Sequence, residues 1–217
     1  SPCTGAYPTS GEPSAILRYV VQRTAGGIMQ SFLSTLGGGI FLSAFLPYIR
    51  AILRGKTKPA KASWIIWTAL DWITLVAMIQ EKTVNGVIVG AVMGATVVVF
   101  LALIKGTPGW TKLDMVCLAG AVAGVALWQI YDNAMFGLLV SQAGIFTGSF
   151  PTFVSASKNP EQEDRFAWTL CWVGAFLGAI SIPVWTLASA AQPVTFLAVE
   201  TVMMYLLYRS RPATQTS

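Results

Sequence analysis

The sequence predicts an all-α polytopic membrane protein with seven transmembrane helices, and three observations carry that prediction. Of the 217 residues, 54% are hydrophobic and 11% charged, with a mean hydropathy of +0.63. A soluble domain carries roughly 25% charge, so this chain lacks the polar surface to coat a soluble fold. The apolar residues gather into seven stretches near the ~20 residues a helix needs to cross a bilayer. Finally, of the 14 basic residues, all but Arg18, Arg23 and Lys82 fall on one set of alternate connections. The net charge of +5 and pI near 9.3 therefore report topology rather than a nucleic-acid face. Soluble enzymes, disordered chains and nucleic-acid partners are poor readings.

Residues 1–27 form a polar N-terminal tail without the basic segment and apolar core of a signal peptide. Ala15 to Val21 could form a short interfacial helix there. The first stretch, 28–49, holds the run Gly37-Gly38-Gly39 and Pro47. Glycine costs about 1 kcal/mol against alanine inside a helix, so the run should mark either a flexing point or a close contact. The second stretch is 63–80 and the third 85–104, where Gly86, Gly90 and Gly94 recur at four-residue spacing. The fourth, 113–131, carries Gly120/Gly124, and the sixth, 166–187, carries Gly174/Gly178. Such faces bring helix backbones together within one molecule or between copies. The fifth stretch, 134–155, contains Pro151, the sixth Pro183, and the seventh spans 192–208. Each proline marks a kink.

Seven spans put the termini on opposite sides. The positive-inside rule makes the basic side cytoplasmic, with the N-terminus outside and the C-terminus inside. Tryptophans 64, 110, 128, 168 and 185 fall near span ends, as an aromatic belt would.

Much chemistry is excluded. The chain has no histidine, and Cys3, Cys117 and Cys171 have no CxxC spacing, so no metal or cofactor site is indicated. There is neither a phosphate-binding GxxxxGK[ST] nor a GxSxG elbow, no catalytic residue is assigned, and the chain is read as not an enzyme. The seventh stretch has no lysine to hold retinal.

What remains is acid inside the bilayer. Asp71 and Glu200 each sit near mid-span, with no Lys or Arg at that depth, whereas Asp114 and Asp132 lie at span ends. A charge at the bilayer centre costs at least about 2.5–3.5 kcal/mol, so such groups work on an ion, proton or substrate, or else join helices as protonated hydrogen-bond donors. Thr68, Thr74, Thr96, Gln129, Asn133, Gln142, Thr147 and Thr201 offer further hydrogen bonds. Trp67, Trp72, Trp172 and Phe176 form either an aromatic floor for a solute or packing surface. Glu161, Glu163 and Asp164 precede the sixth stretch, where acids favour a helix N-terminus; pairing with the basic 50–61 loop as a gate is a second reading.

The chain also repeats. Pro47 precedes Trp64 by 17 residues, as Pro151 precedes Trp168, and the two pairs are offset by 104. The first three stretches overlay the last three, leaving the fourth over. Because three is odd, both copies point the same way in the membrane. The domains read as a first three-helix bundle at 28–104, a linker helix at 105–133, a second bundle at 134–208 and a C-terminal tail at 209–217.

In this 3+1+3 plan, and in LPYIRAILRGKTKPAKASWIIW (46–67) and FPTFVSASKNPEQEDRFAWTLCW (150–172), the chain resembles the SWEET and PQ-loop transporter superfamily. The Pro-Gln dipeptide is replaced by Pro47-Tyr48 and Pro151-Thr152. The resemblance implies gating prolines at Pro47 and Pro151 and paired site positions at Thr96 and Glu200. With Asp71, Trp67 and Trp172 these make the expected substrate-binding set. The expected function is a carrier moving a small polar, sugar-like solute by alternating access, with proton coupling as a variant. The alternative is a non-transporting receptor or accessory subunit on the same scaffold. Expected partners are the lipid bilayer, the solute, protons, and further copies or subunits of a membrane complex.

Overall fold

The computed structural model describes residues 13–56, 58–59, 61–110, 112–158 and 160–209. These residues are helical, with no strand among them: α1 Pro13–Ser43, α2 Phe45–Leu53, α3 Lys61–Gln80, α4 Gly86–Lys105, α5 Lys112–Tyr131, α6 Ala134–Gly148, α7 Phe150–Lys158, a 3-10 turn at Pro160–Gln162, α8 Arg165–Ile180 and α9 Leu187–Tyr208. Helices satisfy their own backbone, which hydrocarbon demands. Five segments are long and apolar enough to cross a membrane: Gly26–Leu53, Lys61–Gln80, Gly86–Lys105, Ala134–Lys158 and Leu187–Tyr208. Leu118–Tyr131 and Arg165–Ile180 are shorter apolar helices. The protein is all-α and built as a multi-pass membrane protein.

Several boundaries differ from the sequence reading. α1 begins at Pro13 and runs through Ala15–Val21, so helix starts inside the stretch read as tail. Residues 1–12 and 210–217 lie outside the described residues. The sixth segment ends at Ile180 rather than 187, and Pro183 sits in the following connection instead of kinking a helix. Residues before a proline are steered out of the helical region, which accounts for the early stop. The seventh segment starts at Leu187, because Thr186 and Ser189 form a capping box. Pro193 thereby falls inside α9.

The glycine run does not loosen its helix: α1 is unbroken through Gly37-Gly38-Gly39. It makes close contacts instead. α1 lies between α4 and α8. A Cβ on Gly38 would meet the Gly86 backbone, and one on Gly37 would lie 2.9 Å from the Gly174 carbonyl oxygen. Gly90 faces the Gly38 carbonyl, Gly94 makes room for the Phe45 ring, and Gly178 faces Val87. The Gly86 amide also donates to Ser34 Oγ at 2.7 Å. Gly120, by contrast, has open space.

The break expected at Pro47 comes three residues earlier. The Ala44 amide is shared between the carbonyls of Ile40 (3.3 Å) and Phe41 (3.2 Å). The Ser149 amide is shared in the same way between Ile145 (3.1 Å) and Phe146 (3.2 Å), two residues before Pro151. A proline cannot donate to the carbonyl four residues back, so the ladder reorganises just upstream. Pro47 is half-buried in α2. Pro151 is in the first turn of α7, and its side chain lies outside the described residues.

Three basic residues cap helix ends on the side where α4 and α9 finish. Lys61 Nζ donates to the Leu103 carbonyl (2.9 Å), Lys105 Nζ to Leu53 (3.2 Å) and Arg209 Nη2 to Ser157 (3.0 Å). Cations suit the carbonyl ends of helices, so these residues stabilise the fold as well as marking topology.

Candidate functional site

The interior is apolar at the end opposite the basic residues and polar at mid-depth. One buried cluster closes the first of these zones. It joins Phe41, Ala77, Met78, Val87, Ile88, Ala91, Val92, Trp128, Ala134, Leu138, Ala175, Ala188 and Phe196, drawing on α1, α3, α4, α5, α6, α8 and α9. A polar bond reinforces it: Asn85 Nδ2 donates to Gln192 Oε1 at 2.7 Å, while Asn85 Oδ1 caps α4 by accepting from the Ile88 amide. Gln192 is fully buried. Toward the basic end the apolar core divides. Ile66, Leu70 and Ala121 form one cluster, and Ala156, Met203 and Leu207 form another.

Between these zones lie the buried side chains of Thr68, Asp71, Thr74, Ser141, Gln142 and Glu200. Asp71 is 8% exposed and Glu200 6%. Asp71 is about 13 Å along α3 from its Gln80 end, and Glu200 about 12 Å along α9 from its Tyr208 end, at 1.5 Å per residue. Asp71 has no hydrogen-bond partner among the described residues, and Glu200 Oε2 is buried without one. One turn from Asp71, Thr74 Oγ1 accepts from Gln142 Nε2 at 2.9 Å, linking α3 to α6 and leaving Gln142 Oε1 open. At the sealed end Thr83 Oγ1 and Gln192 Nε2 are open as well. Unsatisfied polar atoms buried in a low-dielectric interior cost about 1–3 kcal/mol each, so this layer calls for a partner. Phe196, one turn from Glu200 on the buried face of α9, has its ring 5.6 Å from that of Phe41.

The other expected site residues lie apart from this layer. Thr96 is half-buried, and its hydroxyl accepts from Trp72 Nε1 at 3.1 Å on the outward flank of α3 and α4. Trp172 donates to Thr201 Oγ1 at 3.0 Å on the flank of α8 and α9, stacked on Phe176 at 5.4 Å. Trp67 packs edge-on against Trp64 at 5.7 Å near the basic end, where Trp64 also donates to Tyr48 Oη at 3.2 Å. The structure thus brings Asp71 near Thr74 and Gln142, leaves Glu200 buried on α9, and puts Thr96 and Trp172 on outward surfaces.

The remaining tryptophans divide too. Trp110 and Trp185 are exposed, as a belt requires. Trp128 is buried and donates to Gln80 Oε1 at 3.2 Å, and Trp168 donates to Glu163 Oε2 at 3.0 Å. Asp164 accepts from the amides of Phe166 and Ala167, the helix-start role read from sequence. The Asn85–Gln192 bond was not foreseen from the sequence. Its signal was an asparagine just ahead of Gly86 and a glutamine among apolar residues, but the pairing is long-range.

The chain matches no protein-family model, no curated protein and no solved structure.

Proposed function

We propose that this protein is a membrane carrier that moves a small polar solute by alternating access. In this reading it is built as two like-oriented three-helix units, α1/α2–α3–α4 and α6/α7–α8–α9, joined by α5 in the manner of the SWEET and PQ-loop superfamily. The packing pattern supports the two units. In each, the last helix packs on the other two: α4 on α1, α2 and α3, and α9 on α6, α7 and α8. Across units, α1 packs on α8 and α3 on α6, contacts that interchange when the units are swapped. The shared-amide breaks ahead of Pro47 and Pro151 recur close to the same place, and each unit has a tryptophan-to-threonine bond between its last two helices, Trp72–Thr96 and Trp172–Thr201, outside the 104-residue register.

The observation that carries the reading is the buried polar layer with its unpartnered atoms. An apolar cluster and the Asn85–Gln192 bond seal it at one end, while the core toward the basic end is divided. With the basic end cytoplasmic, as the charge distribution favours, the sealed side is the outer one. Opening it requires α4 and α9 to part. Pro47 and Pro151 assist the bends, and proton coupling through Glu200 or Asp71 is a variant of the same mechanism.

The test uses Asn85→Cys/Gln192→Cys in a background lacking Cys3, Cys117 and Cys171. The protein is placed in proteoliposomes with labelled glucose, sucrose, lysine and ethanolamine. A short thiol-reactive cross-linker should stop uptake of the transported solute, and its reductive cleavage should restore it. Uptake that continues with the pair linked refutes alternating access at this seal. No uptake of any solute moves the weight to a receptor or accessory subunit.

A further inference from the structure

We infer that the buried layer takes a small organic ammonium ion, held by the Glu200 carboxylate, rather than a neutral polyol. This rests on the carrier reading only for the claim of movement; the claim of binding stands on the site.

The unsatisfied groups lean one way. Two buried oxygens, Glu200 Oε2 and Gln142 Oε1, have no donor, and Asp71 has no hydrogen-bond partner among the described residues. The open donors, the Thr83 hydroxyl and Gln192 Nε2, lie at the sealed end instead; Gln192 is locked by its other end to Asn85, about 12 Å along α9 from Glu200 at 1.5 Å per residue. Among the described residues the buried polar and charged side chains are Asp71, Glu200, threonines, serines and glutamines, with no Lys or Arg. Among the described residues the interior therefore offers two carboxyl groups, more open acceptors than open donors beside them, and no cation. A neutral polyol needs both in matched numbers. A primary ammonium brings three N–H donors, no acceptor and the missing charge. Ring faces stand close by: Phe196 is one turn from Glu200 on the same buried face, with Phe41 5.6 Å from it. A cation near such faces is attracted by the ring quadrupole.

The experiment measures thermal unfolding of the purified full chain in detergent with three probes: ethanolamine, its uncharged counterpart ethylene glycol, and glucose. A ligand that binds the folded state raises the midpoint by mass action. Ethanolamine should raise it in a concentration-dependent way, and the other two should not. Glu200→Gln should weaken ethanolamine binding about tenfold or more, the worth of a charge-assisted hydrogen bond. Glu200→Asp, which keeps the carboxylate, should retain part of the shift, and guards against a Gln variant that fails to fold. Three results overturn the inference: no shift with ethanolamine, an equal or larger shift with glucose or ethylene glycol, or an undiminished shift in Glu200→Gln. Counterflow of labelled ethanolamine in proteoliposomes separates the two claims. Binding without counterflow leaves the inference standing and removes the carrier reading, whereas glucose counterflow without ethanolamine binding does the reverse.

Discussion

Replacing the three successive glycines of α1 by alanine, one at a time, should give three different results from one chemical change. Alanine is favoured over glycine in a helix interior by about 1 kcal/mol. At Gly39 nothing lies within 4 Å of the added Cβ, so that gain should appear undiminished. At Gly37 the Cβ meets the Gly174 carbonyl oxygen at 2.9 Å and Leu177 Cβ at 3.0 Å, so α8 must shift by a few tenths of an ångström and the two effects nearly cancel. At Gly38 the neighbour is the Gly86 backbone, which has no rotamer to change, so α1 and α4 must separate. Overpacking of this kind typically costs about 1–3 kcal/mol, enough to exceed the propensity gain. For 150–250 residues, 1 kcal/mol moves the midpoint by about 2–4 °C. Gly39→Ala should therefore rise by about 2–4 °C, Gly37→Ala should stay near the parent, and Gly38→Ala should fall by a similar amount or more. The assay is thermal unfolding in detergent followed by tryptophan fluorescence. Equal shifts at Gly38 and Gly39 would refute the close α1–α4 crossing.

Other expectations follow from single contacts. Asn85→Ala removes the α4 cap and the Gln192 partner together; the cap alone is worth about 1 kcal/mol, so its midpoint should fall further than that of Thr186→Ala, which removes the cap of α9. Trp128→Phe leaves Gln80 without its donor but keeps the ring in the core, so a loss of about 0.5–1.5 kcal/mol is expected from chemical denaturation. Lys105→Met should loosen the Leu53 carbonyl end of α2 and speed backbone hydrogen exchange over Arg50–Arg54, while leaving exchange in α9 unchanged.

Much of the fold was legible because the bilayer imposes so simple a rule. Apolar runs of the right length located the segments, and alternate basic connections identified the end where Lys61, Lys105 and Arg209 cap helices. The spacing of Gly86, Gly90 and Gly94 announced a packing face and is one. Local signals were less well weighed. Pro183 stops α8 where a kink was expected, and the capping pair Thr186/Ser189 starts α9 ahead of a proline that hydropathy took for its first turn. For the site, depth was readable and direction was not. Asp71, Thr96, Trp172 and Glu200 all fall near mid-span, but only rotation about each helix axis decides that Asp71 and Glu200 turn inward while Trp172 and Thr96 meet outward-facing partners. A hydrophobic helix carries little periodic signal about its rotation, since lipid and core are both apolar. The Asn85–Gln192 pairing likewise depends on helices distant in sequence.

The early end of α8 has a consequence for the surrounding lipid. Its 16 residues span about 24 Å at 1.5 Å per residue, against ~30 Å of hydrocarbon. Beyond Ile180 the chain turns irregular, with the Ser181, Ile182 and Thr186 amides bonded to the Leu177, Ala179 and Val184 carbonyls. Val184, Trp185 and Leu187 are exposed there, and an indole seeks the headgroup level. Neighbouring α9, at 22 residues, is long enough to span the full thickness. The protein thus presents a short flank beside a full-length one, and hydrophobic mismatch draws the adjacent leaflet inward at α8. It should be most stable in bilayers of shorter acyl chains, and lipids that thicken the membrane should strain this one flank first.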